Sequence, residues 1–192
     1  MTTTYAALLR GINVSGHKKV PMAQLRALLA ELGHREVRTY LRSGNAVFTT
    51  DAYDATDACD AEEAEASLAA ELEKAMETHF GFTVDCLVRS GAYLKAVADA
   101  CPFPAAEPAG GQLHVTYLSH QVGPERFAPV DPAAYLPEEF RLGDRALYLY
   151  APDGLGRSGL AGALARPALL KGVTATTRNW NTVAELVEMT RD

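Results

Sequence analysis

The sequence predicts an α+β fold, on three observations. Apolar residues alternate with period two over several short stretches, others recur at helical spacing over longer ones, and the two kinds of stretch interleave along the chain. The run Tyr5-Ala6-Ala7-Leu8-Leu9 is apolar on both faces, as a central strand must be, and continues to Ile12. Asn13 to Lys19 is a polar loop containing Gly16, and Pro21 suits the first turn of a helix, where its missing N–H would have no partner. Met22, Leu25, Leu28, Leu29 and Leu32 then mark one buried helical face, ended by Gly33. Glu36 to Arg42 and Ala46 to Thr49 alternate as paired strands, joined by the turn residues Ser43-Gly44-Asn45.

Residues 51–60 read as an acidic, structureless connection. Ala64, Leu68, Leu72, Met76 and Phe80 lie one turn apart and predict a helix from Glu62 to His79. Phe82, Val84, Cys86 and Val88 alternate as a strand. The order over residues 4–89 is therefore β-α-β-β-α-β, the split βαβ or ferredoxin-like arrangement. The second half is less regular. It offers a helix over Tyr93–Cys101, a Pro/Gly/Ala loop over Pro102–Gly111, and a strand on Leu113, Val115 and Tyr117. A hairpin of Glu139–Leu142 with Arg145–Tyr150 turns about Gly143-Asp144, and helices follow near Leu160–Leu169 and Thr182–Met189. Thr182-Val183-Ala184-Glu185 supplies a capping box for the last helix. The expected arrangement is a ferredoxin-like subdomain over 1–90 packed, as one compact unit, against a second α+β subdomain over 91–192. That second half is readable as a diverged copy of the first, although no internal sequence repeat is legible.

Composition is ordinary for a globular chain, with 48% apolar and 22% charged residues. No apolar run approaches the roughly 20 residues of a membrane span, and the start has no basic n-region and no cleavage-like pattern, so no secretory signal is expected. Cys59, Cys86 and Cys101 are odd in number and widely spaced, which points to reduced thiols in a cytoplasmic protein. The net charge of −6 is unevenly spread: Lys and Arg dominate residues 1–50, acids dominate 51–80, and the remainder is nearly balanced. A basic opening segment attracts an anionic ligand locally, or else is neutralised by the acidic segment that follows.

Three segments stand out: Leu8-Leu9-Arg10-Gly11-Ile12-Asn13-Val14, Tyr40-Leu41-Arg42-Ser43-Gly44-Asn45 and Thr176-Thr177-Arg178-Asn179-Trp180-Asn181-Thr182. Together, and in this order, they resemble the uncharacterised bacterial family catalogued as domain of unknown function 1697. The resemblance implies an α+β fold with ferredoxin-like subdomains and carries no established activity. It also implies a Lys where this chain has Gly159, within Arg157-Ser158-Gly159-Leu160.

The predicted strand order brings the first two segments to one end of a sheet. Arg10, Asn13, His17, Lys18 and Lys19 are expected to approach Arg42, Ser43 and Asn45, beside a helix N-terminus whose free N–H groups favour anions. The leading expectation is thus a small-anion or nucleotide-type ligand site, with no catalytic residue assigned. The alternative is a non-enzymatic interaction or regulatory module whose polar segments only tie loops together. Arg178 and Trp180 would add an anion contact and a stacking surface, or simply pack, with Asn181 or Thr182 capping the last helix. Gly154-Leu155-Gly156-Arg157-Ser158-Gly159 matches a dinucleotide fingerprint, but follows a hairpin strand and lacks the downstream strand with its acid. Arg157 is accordingly a subsidiary candidate. The five histidines have no metal-site spacing, so neither metal nor cofactor is expected. RNA binding is a minority reading, on Tyr5, Phe48 and the stripe Arg38-Tyr40-Arg42, against the acidic net charge. Basic residues on the second strand, a predicted edge, lean toward a monomer.

Overall fold

The computed structural model describes residues 2–14, 16–51, 58–104 and 110–191. Contacts divide the chain into two units, residues 1–94 with 186–192, and residues 95–185. In the first unit β1 (Thr3–Leu9), α1 (Met22–Glu31), β2 (Arg35–Tyr40), β3 (Asn45–Thr50), α2 (Ala58–Phe80) and β4 (Cys86–Ser90) follow in the predicted β-α-β-β-α-β order. The sheet runs β2-β3-β1-β4 with every neighbouring pair antiparallel, which is the ferredoxin-like topology.

The period-two pattern of β1 explains its packing. Tyr5, Ala7 and Leu9 join Ala46, Phe48, Cys86 and Val88 in one core, which takes Leu25, Leu28 and Leu29 from α1 and Leu68, Leu72 and Met76 from α2. Ala6, Leu8, Val47 and Leu87, on the alternate positions, are buried as well, so the central strands are apolar on both faces. Gly33, with φ +90°, ends the turn after α1, where other residues are strained. β2 lies at the sheet edge and carries a register irregularity between Arg35 and Arg38.

Several boundaries differ from those expected. The turn between β2 and β3 spans residues 41–44, so Leu41 and Arg42 leave the strand and Asn45 enters the next one. α2 begins at Ala58, inside the stretch read as structureless; residues 52–57 of that stretch lie outside the described residues. Phe82 and Val84 precede β4 rather than belonging to it. The Cys86 N–H is taken by the Glu73 carboxylate at 2.8 Å, and pairing with β1 starts only there. The helix expected over Tyr93–Cys101 is α3, Gly91–Asp99.

The second unit holds β5 (Leu113–Leu118), β6 (Glu139–Gly143), β7 (Ala146–Tyr150), α4 (Gly159–Leu164) and β8 (Ala175–Asn179), with α5 (Trp180–Met189) following. The hairpin turns on Asp144-Arg145, one residue later than expected, and α4 stops at Leu164 rather than Leu169. β8 was not legible as a strand. Its sheet order, β6-β7-β5-β8, repeats that of the first unit strand for strand, again all antiparallel.

The repeat extends to single hydrogen bonds. At the last residue of β1 and of β5, Leu9 N–H donates to Gly44 O at 2.8 Å and Leu118 N–H to Arg145 O at 2.8 Å. The next residues match too, Arg10 N–H reaching Asp85 O at 2.9 Å and Ser119 N–H reaching Thr174 O at 2.8 Å. Each fourth strand runs straight into a helix whose cap is the last strand residue: Ser90 Oγ accepts from Tyr93 N at 3.3 Å, and Asn179 Oδ1 from Thr182 N at 2.9 Å. Before each cap stands a buried arginine, and its guanidinium donates to the preceding carbonyl, Arg89 to Val88 at 2.8 Å and Arg178 to Thr177 at 3.0 Å.

Candidate functional site

At one end of the first sheet, the loop after β1 and the turn between β2 and β3 meet, as the strand order requires. Asn13 is the residue that joins them. Its Nδ2 donates to Arg42 O at 2.8 Å and Val20 O at 3.0 Å, while its Oδ1 accepts from Val20 N at 2.9 Å. Its own N–H donates to Lys18 O at 3.1 Å, closing the loop on itself. Asn45 is fully buried and ties the turn from below, donating to Tyr40 O at 2.9 Å and Ser43 Oγ at 3.3 Å. Both asparagines, and through Asn45 the Ser43 hydroxyl, therefore hold the framework together.

Gly44 shows why the turn needs glycine. Its φ is +91°, and a Cβ there would sit 2.8 Å from both Ile12 Cδ1 and Leu9 Cβ. Asn13, Lys18 and Leu41 also have positive φ, at 56°, 45° and 57°. Asparagine tolerates this region, but lysine and leucine rarely enter it, and two such positions within two touching loops concentrate backbone strain of the kind found at ligand sites.

The cations divide into two groups. Arg10 is exposed and pairs with the equally exposed Asp85 at 3.3 Å, an ion pair worth little in water. His17, Lys18, Lys19 and Arg42 are also exposed, and no side-chain partner for them occurs among the described residues. α1 begins beside them with no side-chain cap and no acid in its first turn.

The subsidiary candidates are elsewhere, in the second unit. Arg178 is buried and donates to Thr176 Oγ1 at 2.8 Å as well as to Thr177 O. Trp180 is half-buried at the first position of α5, its backbone N–H donating to Gly110 O at 3.1 Å. The cap of α5 is Asn179, not Asn181 or Thr182, because the strand runs on to that residue before the helix starts. Arg157 is exposed on a 3-10 turn after β7. The glycine-rich stretch beside it has its own internal anion. The Glu138 carboxylate accepts from Ser158 Oγ at 2.6 Å, Leu160 N at 2.9 Å and Gly159 N at 3.2 Å, filling the position a phosphate would take in a nucleotide loop.

Tyr5 and Phe48, the aromatics offered for RNA stacking, are core residues, 1% and 0% exposed and stacked at 6.1 Å. Arg38, from the same stripe, donates to Met189 O at 2.6 Å. A cavity of about 500 Å³ opens in the second unit between α3, Pro102 and the β6–β7 turn. Its polar groups are already engaged: Tyr148 donates to Val97 O at 2.6 Å, and Arg141 binds Glu139 and Phe140 O and lies over the Phe103 ring. Burial, with Cys101 and Asp144 nearby, pushes the Tyr148 phenol up to about 12, and burial also raises the Cys101 thiol. Neither is poised as a base or nucleophile near neutral pH. Among the described residues no three His, Cys, Asp or Glu are grouped to hold a metal, and no helix is long and apolar enough to cross a membrane.

Among solved structures, the chain is similar over 100% of both chains to the conserved bacterial protein SP0830 from Streptococcus pneumoniae, with 23% identity and a TM-score of 0.65, a likeness that establishes the fold. No curated protein matches. Residues 1–148, which hold the first two of the three polar segments, match the family described as "Protein of unknown function (DUF1697)", the family those segments resemble, and the chain belongs to it.

Proposed function

We propose that the loop end of the first unit binds a small anion. The observation that carries this reading is the set of exposed side chains Lys18, Lys19 and Arg42, without acidic partners among the described residues, on two loops that Asn13 locks together. Because Asn13 holds the two loop backbones together, no loop has to be ordered on binding, and charge-assisted hydrogen bonds from the cations can hold an anion in water. Arg10 belongs to the rim, available to the anion by exchanging its weak pair with Asp85. Asn13, Ser43 and Asn45 act by holding the backbone, and His17 lies next to Lys18 as a further hydrogen-bond donor.

A second reading has its own support: the polar side chains Asn13, Asn45, Arg178 and Asn179 all make internal hydrogen bonds, as a purely structural signature would. A thermal-shift series with phosphate, sulfate and small carboxylates at low ionic strength separates the two. An anion at about 100 times its dissociation constant stabilises the fold by about 2.7 kcal/mol. The shift is expected to vanish in Lys18→Ala/Arg42→Ala, whose stability without anion stays near the parent's because both side chains are exposed. No shift with any anion, or a shift that survives the double substitution, leaves the structural reading in its place.

A further inference from the structure

Resting on that anion site, we propose that its occupant is a phosphate monoester whose organic portion presents an apolar face, a nucleoside monophosphate in kind, and not a bare inorganic anion. Val14 is 61% exposed and Leu41 is 53% exposed. They flank the two residues joined by the Asn13 Nδ2 to Arg42 O bond, one on each loop. Among the described residues they are the exposed large apolar side chains of the first unit; the other two, Leu136 and Leu155, belong to the second. An isolated exposed aliphatic residue needs no explanation. Two of them, on loops that are locked together and also carry Lys18, Lys19 and Arg42, put apolar and positive side chains at the same end of the sheet.

The backbone adds to this. Leu41 has φ +57° and Lys18 has φ +45°, a region that asparagine or glycine enters with far less strain. Turn chemistry by itself does not call for leucine at 41 or lysine at 18. Ligand sites pair apolar walls with a few placed polar groups in this way. Lys18, Lys19 and Arg42 would meet the phosphate, aided by the free N–H groups at the start of α1, and Val14 and Leu41 would cover one face of the organic portion.

The test compares adenosine monophosphate with inorganic phosphate by calorimetric titration at low ionic strength, in the parent and in Val14→Ser/Leu41→Asn. Asparagine suits the positive φ at 41, and both positions are exposed, so an unchanged circular dichroism spectrum checks the fold. Covering the two aliphatic side chains should make the nucleotide bind about tenfold more tightly than phosphate. The double variant should lose most of that advantage while its affinity for phosphate stays within about twofold of the parent's. Equal binding of nucleotide and phosphate by the parent overturns this inference and leaves the anion site standing. A nucleotide advantage that survives in the variant overturns it as well, and binding of neither ligand removes both readings. Retention on phosphatidylserine/phosphatidylcholine vesicles without nucleotide binding would mean that the apolar part serves a lipid surface, which also overturns it.

Discussion

Glu65 on α2 offers the most decisive test of how the first unit is held together. Its side chain is 1% exposed, and it faces Arg89, 4% exposed, at 3.4 Å. One carboxylate oxygen accepts from both Ser90 N at 2.8 Å and Ser90 Oγ at 3.0 Å, and the Ser90 hydroxyl in turn caps α3. A single side chain thus joins a helix, the end of β4 and the start of the next helix. Glu65→Ala removes hydrogen bonds to a charged acceptor and takes away the carboxylate that stands 3.4 Å from the buried Arg89 guanidinium. Breaking a buried pair in this way costs about 3–5 kcal/mol. For a chain of this size, each kcal/mol lowers the melting temperature by about 2–4 °C, so a fall of roughly 6–20 °C is expected. Glu65→Gln keeps an acceptor for Ser90 and should lose less. Urea unfolding followed by circular dichroism measures both, and Glu65→Leu/Arg89→Met supplies the control. With both charges removed, the double variant should recover more than half of the loss seen in Glu65→Ala. A Glu65→Ala protein within about 1 kcal/mol of the parent would refute the reasoning. So would a double variant no more stable than Glu65→Ala.

Two further predictions follow from the loops and the core. Asn13→Gly keeps a residue suited to φ +56° but deletes three side-chain hydrogen bonds, and should cost about 2 kcal/mol in urea unfolding; Asn13→Ala adds backbone strain and should cost more. Equal losses for the two would count against the strain argument. Burial holds His34 and His114 below the ordinary imidazole value, countered in part by the Glu71 charge for His34 and by the Gln112 backbone for His114. Below an unfolded value near 6.5 the unfolded chain takes up more protons than the folded one. Stability is therefore full above about pH 6.5 and falls as the pH drops through the window beneath it. Melting temperatures at pH 7.5, 6.5 and 5.5 should decline in the parent and decline less in His34→Phe, which keeps a ring against Phe48, now 4.4 Å from the imidazole. A flat or rising profile in the parent contradicts the assignment.

Residues whose role is to bury hydrocarbon could be read from the sequence, because periodicity records which side of an element faces the core. Tyr5–Leu9, Leu25–Leu29 and Leu68–Met76 behaved accordingly, and the β-α-β-β-α-β order they imply already brings residues 10–19 and 42–45 to one end of a sheet. Arg10, Lys18, Lys19 and Arg42 were candidates from their charge taken together with that strand order. Val14 and Leu41 were not, since exposure of an apolar residue leaves no mark on a hydropathy pattern.

β8 shows the opposite limit. Ala-Thr-Thr-Arg-Asn has no large apolar residue, and its inward positions, Thr176 and Arg178, are buried polar groups bonded to each other. Burial achieved by satisfying polar atoms is invisible to a search for hydrophobic alternation. The repeat between the two sheets was hidden for a related reason: it resides in strand order and in backbone hydrogen bonds such as Leu9 to Gly44 and Leu118 to Arg145, which constrain geometry and hardly constrain side chains. The sequence by itself determined the α+β class, the first unit's order and the basic character of its loops. Only the tertiary structure decided that Asn13 locks those loops together, that Glu138 fills the glycine-rich turn, and that Arg178 is a buried partner of Thr176, because each depends on which distant atoms the fold brings within hydrogen-bonding distance.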